Sequence, residues 1–202
     1  MTMKVKAVTV IMAVHNGEEY LSKSIESILG QTFTDFDFFI VDDGSTDSTA
    51  QILATYRDQR IQVVRNKYRY GLPKSLNLGL SSTKSKLVAR QDVDDISLSG
   101  RLESQVNFFS RFPDVCVLGT KAQCIGSDGS VIGVVPVSED IRHELRNRNP
   151  LVHGSVMFQR KPVTELGGYD EFFVHSQDYE LWQRVARYHE IAILPTVQYL
   201  FR

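Results

Sequence analysis

The chain has 202 residues, a formal net charge of -1, 42% hydrophobic and 23% charged residues, a balance that excludes a disordered or fibrous chain and fits one sizeable globular domain. Basic residues are dispersed, so no nucleic acid is expected as a partner. The apolar run Val8–Val14 is too short for a membrane helix and lacks a cleavage-type ending, so no transmembrane segment is expected.

That first run is continuous and rich in β-branched residues, as in a strand covered on both faces. Leu21, Ile25, Ile28 and Leu29 then share one helical stripe, which predicts a helix from Glu18 to about Gln31. Phe36–Val41 predicts a second strand. It ends in Asp42-Asp43-Gly44-Ser45-Thr46-Asp47, a turn that also caps a helix to about Tyr56 through Ser45 or Asp47. Ile61–Val64 predicts a third strand, and Leu72–Leu80 a third helix with Leu72, Leu76 and Leu80 aligned. The loop between them, Arg65 to Tyr70, mixes cations with aromatics and reads as a solvated connection. Leu87–Ala89 predicts a fourth strand, followed by Arg90 and then Gln91-Asp92-Val93-Asp94-Asp95. Strands alternating with helices imply a mostly parallel central sheet with helices on both faces, an α/β fold. Ligands in such sheets bind beyond the carboxyl ends of the strands, where both acid clusters fall.

After Arg101 the pattern becomes mixed. Leu102, Val106 and Phe109 predict a helix and Val115–Leu118 a strand. Ala122–Ile125 and Val131–Val135 flank Gly126-Ser127-Asp128-Gly129, which reads as a hairpin. A polar helix is predicted over Glu139–Asn147, a short strand at Val156–Phe158, and a helix stop and turn at Leu166-Gly167-Gly168-Tyr169. A last helix, about Asp178 to Tyr188, is predicted to bury Leu181, Trp182, Val185 and Ala186. Cys116 and Cys124 lack metal-type spacing and are expected to stay reduced thiols.

Three acids stand out as candidates for chemistry. Asp92 and Asp94, two apart after a strand, can aim two carboxylates into one cavity, where they repel unless a cation joins them. Hard oxygen ligands of this kind suit Mg²⁺ or Mn²⁺, with substrate phosphates completing the shell. An acidic surface loop is the plainer alternative. Asp42 and Asp43 can cap a helix, or accept a hydrogen bond from a nucleobase. Asp178, in Ser176-Gln177-Asp178-Tyr179-Glu180, is either an acid favoured by a helix N-terminus or a general base.

Together these segments resemble the family 2 glycosyltransferases of the GT-A fold, and the resemblance spans nearly the whole chain. Val10–Gly17 with Tyr20-Leu21 looks like the family's opening. Val41–Asp47 is similar to its second-strand signature. Gly71–Gly79 followed by Ala89–Asp95 resembles the third-helix and D-x-D region, and Gly167–Asp170 with Asp178–Trp182 the acceptor-side half.

The resemblance implies an inverting enzyme that moves a sugar from a nucleoside-diphosphate sugar, with UDP favoured, to a hydroxyl of a glycan or lipid-linked acceptor. Ala13, His15 and Asn16 would line the nucleotide pocket, Asp42 would accept from the base, and Asp43 would support the turn. Asp92 would face ribose or phosphates and join Asp94 on the metal. Asp178 would be the catalytic base, and His153 would stand on the acceptor side. Residues 1 to about 100 would hold the donor, and about 101 to 202 would form a smaller, mixed acceptor-binding half of one domain. Surface polysaccharide or lipid-linked glycan assembly is the implied setting, in the cytoplasm or at the inner face of the cell membrane. A homodimer through the edge of the second half is also open.

Two departures are visible. Gln177 stands where many relatives have Glu. The metal-holding histidine that relatives often carry beyond this point is missing, so the chain is expected to be truncated, and His175 is assigned no role. Trp182, Gly71, Asn77 and Gly79 read as structural. Two rival readings remain, a catalytically silent nucleotide-sugar-binding module and a sugar-phosphate nucleotidyltransferase. The acidic His15-Asn16-Gly17-Glu18-Glu19 stands against the second, because that class carries a Gly-rich, basic loop there.

Overall fold

A computed structural model describes residues 5–137 and 140–202. One sheet of nine strands runs through it. The strands are β1 (Val8–Val14), β2 (Phe36–Asp42), β3 (Ile61–Arg65), β4 (Leu87–Arg90), β5 (Ile96–Ser97), β6 (Val115–Ile125), β7 (Val131–Val134), β8 (Met157–Gln159) and β9 (Glu190–Phe201). The helices are α1 (Leu21–Leu29), α2 (Thr49–Leu53), α3 (Leu72–Ser82), α4 (Arg101–Arg111), α5 (Ile141–Glu144), α6 (Arg160–Glu165) and α7 (Gln177–Ala186).

The sheet order is β3-β2-β1-β4-β8-β6-β9-β5, with β7 paired to β6. The first four strands are mutually parallel. The remainder is mixed: β8 runs antiparallel to β4 and β6, whereas β9 runs parallel to β6. The apolar run of β1 is explained by its pleat. Val8, Val10, Met12 and Val14 face a core built on α1, α2 and α4, including Leu21, Ile25, Ile28, Leu53, Leu102 and Phe109. Ile11 and Ala13 face the opposite core, with Leu76 and Leu80 of α3 and Leu181, Trp182 and Val185 of α7. Alternate side chains thus need two apolar layers, one from each set of helices. Gly79 lets α3 lie close on the sheet, since a Cβ there would come within 2.6 Å of Ile11 Cγ2.

Several boundaries differ from expectation. Helix α1 starts at Leu21, not Glu18, because the first turn after β1 is spent on bonds to the Asp47 region. Val115–Leu118 and Ala122–Ile125 belong to one strand, β6, which passes its polar middle by shifting register against β9. Of the polar helix expected over Glu139–Asn147, Glu139 lies outside the described residues, and the regular part is the single turn α5, with Asp140 accepting from His143 N. Strand β9 was not anticipated. Cys116 and Cys124 are free thiols, eight residues apart on one strand, and about 26 Å of extended chain separates them, too far for a bridge. Among the described residues no helix is long and apolar enough to cross a membrane.

Candidate active site

The first part of the site is the turn after β2. The register of β1 against β2 sets Ala13 beside Val41 and Val14 beside Asp42, and Asp43 N donates to Val14 O at 2.7 Å. Ala13, His15, Asn16, Asp42 and Asp43 are therefore gathered at two adjacent strand ends. Asn16 adopts a left-handed backbone (φ 55°), and its side-chain oxygen accepts from Thr46 N at 2.8 Å. His15 Nδ1 lies 3.0 Å from the Asp43 carbonyl, which can only accept, so the ring donates there. Asp42 is buried, with Oδ1 accepting from Ser45 N at 2.9 Å and Oδ2 3.1 Å from Arg65 Nε.

Asp43 is the best-satisfied carboxylate of the turn. It accepts from Asn66 Nδ2 at 2.7 Å, Tyr70 N at 2.9 Å and Gly71 N at 2.8 Å. Burial alone would raise its pKa, but these donors hold it below the ordinary carboxylate value. The basic-aromatic loop is thus more than a solvated connection, because its backbone closes onto Asp43. Gly44 (φ 70°) permits the approach, since a Cβ there would sit 2.7 Å from the Tyr68 carbonyl carbon.

The second part is the acid loop between β4 and β5. Two fully buried arginines build it. Arg90 donates to the Ile11 carbonyl at 2.7 Å, to the Gln91 carbonyl at 3.0 Å, to Asp92 Oδ1 at 2.5 Å and to His153 Nε2 at 3.2 Å. Arg101 has no carboxylate partner among the described residues; it donates to Gln91 Oε1, Ser97 Oγ, Gln105 Oε1 and the carbonyls of Arg90 and Val156. Burial lowers the Arg101 pKa to about 10. Gln91, also fully buried, reaches from Ser24 Oγ to the Asp92 and Asp95 carbonyls and so pins both ends of the acid run.

The three acids of this loop differ. Burial would raise the Asp92 pKa, but Arg90 beside it outweighs that and keeps the group ionised. Asp94 is half-buried, with no side-chain partner among the described residues, and burial followed by the charge of Asp92 raises its pKa. Asp95 accepts from Arg202 N at 2.8 Å, while its Oδ2 is buried with no hydrogen-bond partner among the described residues. Burial, then Asp92, pushes Asp95 up to about 8. Crowded, under-compensated carboxylate oxygens fit a hard divalent cation. Among the described residues no group of three His, Cys, Asp or Glu forms a complete cage, so a cation here would draw further ligands from water or substrate phosphates.

The third part faces the acid loop from α7. Asp178 is half-buried and accepts from Asn149 Nδ2 at 2.7 Å. His153 and Tyr169 are within electrostatic reach of both sides, for each feels the charges of both Asp92 and Asp178. Tyr169 Oη lies 2.9 Å from His153 Nε2. Burial, then the Arg90 charge, lowers the His153 pKa to about 4, so the ring is neutral. Trp182 is fully buried core, as its stripe predicted, and His175 is exposed. Arg90, Arg101, Tyr169, Asn149 and Tyr199, whose hydroxyl accepts from Asp92 N at 3.2 Å, were missed by sequence reasoning. The one available signal was Arg90 itself, a cation directly ending a fully apolar strand.

The arrangement can hold a nucleotide at the β1–β2 ends, a cation and phosphates at the acid loop, and a hydroxyl nucleophile near Asp178. The comparisons bear on the family and the fold. The chain is 34% identical to the putative glycosyltransferase EpsE of Bacillus subtilis, over 88% of this chain and 66% of that one. It is 33% identical to the O-antigen biosynthesis glycosyltransferase WbnJ of Escherichia coli, over 88% and 71%. It is 27% identical to the E. coli UDP-Glc:alpha-D-GlcNAc-diphosphoundecaprenol beta-1,3-glucosyltransferase WfgD, over 93% and 72%. The chain spans just under two thirds of EpsE. The fold matches S. aureus TarS 1-349 in complex with UDP-GlcNAc, with a TM-score of 0.78, 21% identity and cover of 96% of this chain and 57% of that one. This is the GT-A fold, with helices on both faces of a mixed sheet. The family model described as "Glycosyl transferase family 2" matches residues 9–166, and the chain belongs to that family.

Proposed function

We propose that the chain transfers a sugar from UDP-sugar to a hydroxyl of a glycan or lipid-linked acceptor, inverting the anomeric centre. The observation that carries this reading is the Asp94 carboxylate, which has no side-chain partner among the described residues, in a loop whose neighbouring acids are already committed to Arg90 and to the Arg202 backbone. Asp94, with the remaining oxygen of Asp92, would hold Mg²⁺ or Mn²⁺, which supplies Lewis-acid stabilisation of a departing diphosphate. Ala13, His15, Asn16 and Asp42 shape the nucleoside end. Asp178, held by Asn149, takes the proton of the attacking hydroxyl. His153 lies on the acceptor side of the same cleft. The relatives named for O-antigen and diphosphoundecaprenol-linked transfer support a setting in surface-glycan assembly.

Calorimetric titration of UDP, with Mn²⁺ and with EDTA, tests the donor site. Binding is expected only with the metal, and Asp94→Ala is expected to weaken it at least 10-fold. Metal-independent binding that Asp94→Ala leaves untouched would sink the ligand assignment.

A further inference from the structure

The histidine between the donor and acceptor sides is bound by a group that can only give a hydrogen, which limits what the ring can do. Arg90 Nε donates to His153 Nε2 at 3.2 Å. A guanidinium has no acceptor and stays protonated in proteins. Nε2 must therefore direct its lone pair at Arg90, and Tyr169 Oη, 2.9 Å away, shares that lone pair as a second donor. The only proton of the neutral ring is then on Nδ1. Nδ1 has no hydrogen-bond partner among the described residues, and the half-buried ring packs edge-on to Trp182 at 6.2 Å.

The surroundings pull in two directions, and burial with the fixed positive charge of Arg90 on β4 outweighs the negative charges of Asp92 from the acid loop and Asp178 from α7, which by themselves would favour a protonated ring. Tyr169 closes the Nε2 side. Asn149 and His153 belong to one short strap, which ties Asp178 at one end and Arg90 at the other.

We propose that His153 is a fixed, neutral hydrogen-bond donor whose Nδ1–H is offered to a hydroxyl oxygen of the acceptor sugar, with Arg90 as the positioning residue that sets its tautomer. The ring neither takes the nucleophile's proton nor protonates the leaving group, so proton removal is left to Asp178. The identity of the ligand rests on the glycosyl-transfer reading; the tautomer does not.

Long-range ¹H–¹⁵N NMR of the whole chain, with His153 assigned by its loss in His153→Asn, reads the tautomer without turnover. A pyridine-like Nε2 and a pyrrole-like Nδ1, unchanged from pH 5 to 8, are expected. A proton on Nε2, or an imidazolium at pH 6, overturns the proposal. That result is separate from the nucleotide titration, so failure of the family reaction and failure of the tautomer are distinguishable. In transfer assays, His153→Asn keeps an N–H near the Nδ1 position and is expected within about 10-fold of wild type in kcat/KM for acceptor. His153→Ala and His153→Gln are expected to lose about 10–100-fold. Equal losses in the Asn and Ala variants would remove the acceptor contact.

Discussion

The turn after β2 and the loop after β4 both set paired carboxylates at strand ends, yet only the first contains a carboxylate, Asp43, that the protein satisfies on both oxygens. Asp43 collects two backbone donors and one side-chain donor, and its pKa falls. Among the described residues Asp94 collects no side-chain donor and Asp95 Oδ2 is buried with no hydrogen-bond partner, and both pKa values rise. Two patterns that look alike in sequence therefore do different physical jobs. The first fixes the shape of a pocket with local hydrogen bonds. The second stores negative potential that a ligand can relieve.

The sharpest way to break this division is the third acid, Asp178. Asp178→Asn keeps an oxygen for Asn149 but removes the base, and is expected to lower kcat by about 10²–10⁴-fold. UDP binding and urea stability should stay near wild type. A fall in stability instead would move Asp178 into the class of Asp43.

Next in size is Asp43→Ala, which strands three donors around the turn and is expected to cost about 3 kcal/mol in urea unfolding. Asp94→Ala should change stability by no more than about 0.5 kcal/mol, since no side-chain partner among the described residues is lost. Similar losses in both variants would erase the contrast between the clusters. The sign with pH also follows. A carboxyl with a lowered folded pKa contributes stability that is full above its unfolded value, near about 3.9, and disappears as pH falls through the folded value. Wild type should accordingly lose more stability than Asp43→Asn between about pH 5 and pH 2.

The smallest effect concerns burial without a ligand. Burial pushes the Cys116 thiol up to about 12. Folded protein at pH 8 should therefore alkylate at half-buried Cys124 alone, and both thiols should react in urea, as mass spectrometry would show. Labelling of Cys116 in the folded state would contradict the packing of β6.

The first half of the chain was legible because its signals are local. The run Val8–Val14 shows β1 directly, and Leu72, Leu76 and Leu80 show α3. Asn77 and Gly79, expected as turn and cap residues, instead lie inside α3, where Asn77 bonds the Tyr169 backbone and Gly79 meets Ile11. Strand β9 was hidden because Pro195, Thr196 and Gln198 interrupt its apolar pattern, and its pairing with β6 is a long-range fact. Arg90 and Arg101 were hidden for a related reason. In sequence a buried guanidinium looks like a surface cation, and only the fold brings it five neutral acceptors or a carboxylate with a histidine. Asp47 was expected as a helix cap and does accept from Thr49 N, whereas Ser48 holds the cap position itself with no side-chain bond.

Strand β9 joins β6 over nine paired positions and then β5 over two. The acid loop is thereby clamped at one end through β4 and at the other through the longest strand of the sheet, with Arg101 and Gln91 wedged inside. A loop held at both ends has little freedom left to lose when a ligand arrives. Its charges are oriented at the time of folding, and the chemistry then inherits a low reorganisation cost that was settled before any substrate was present.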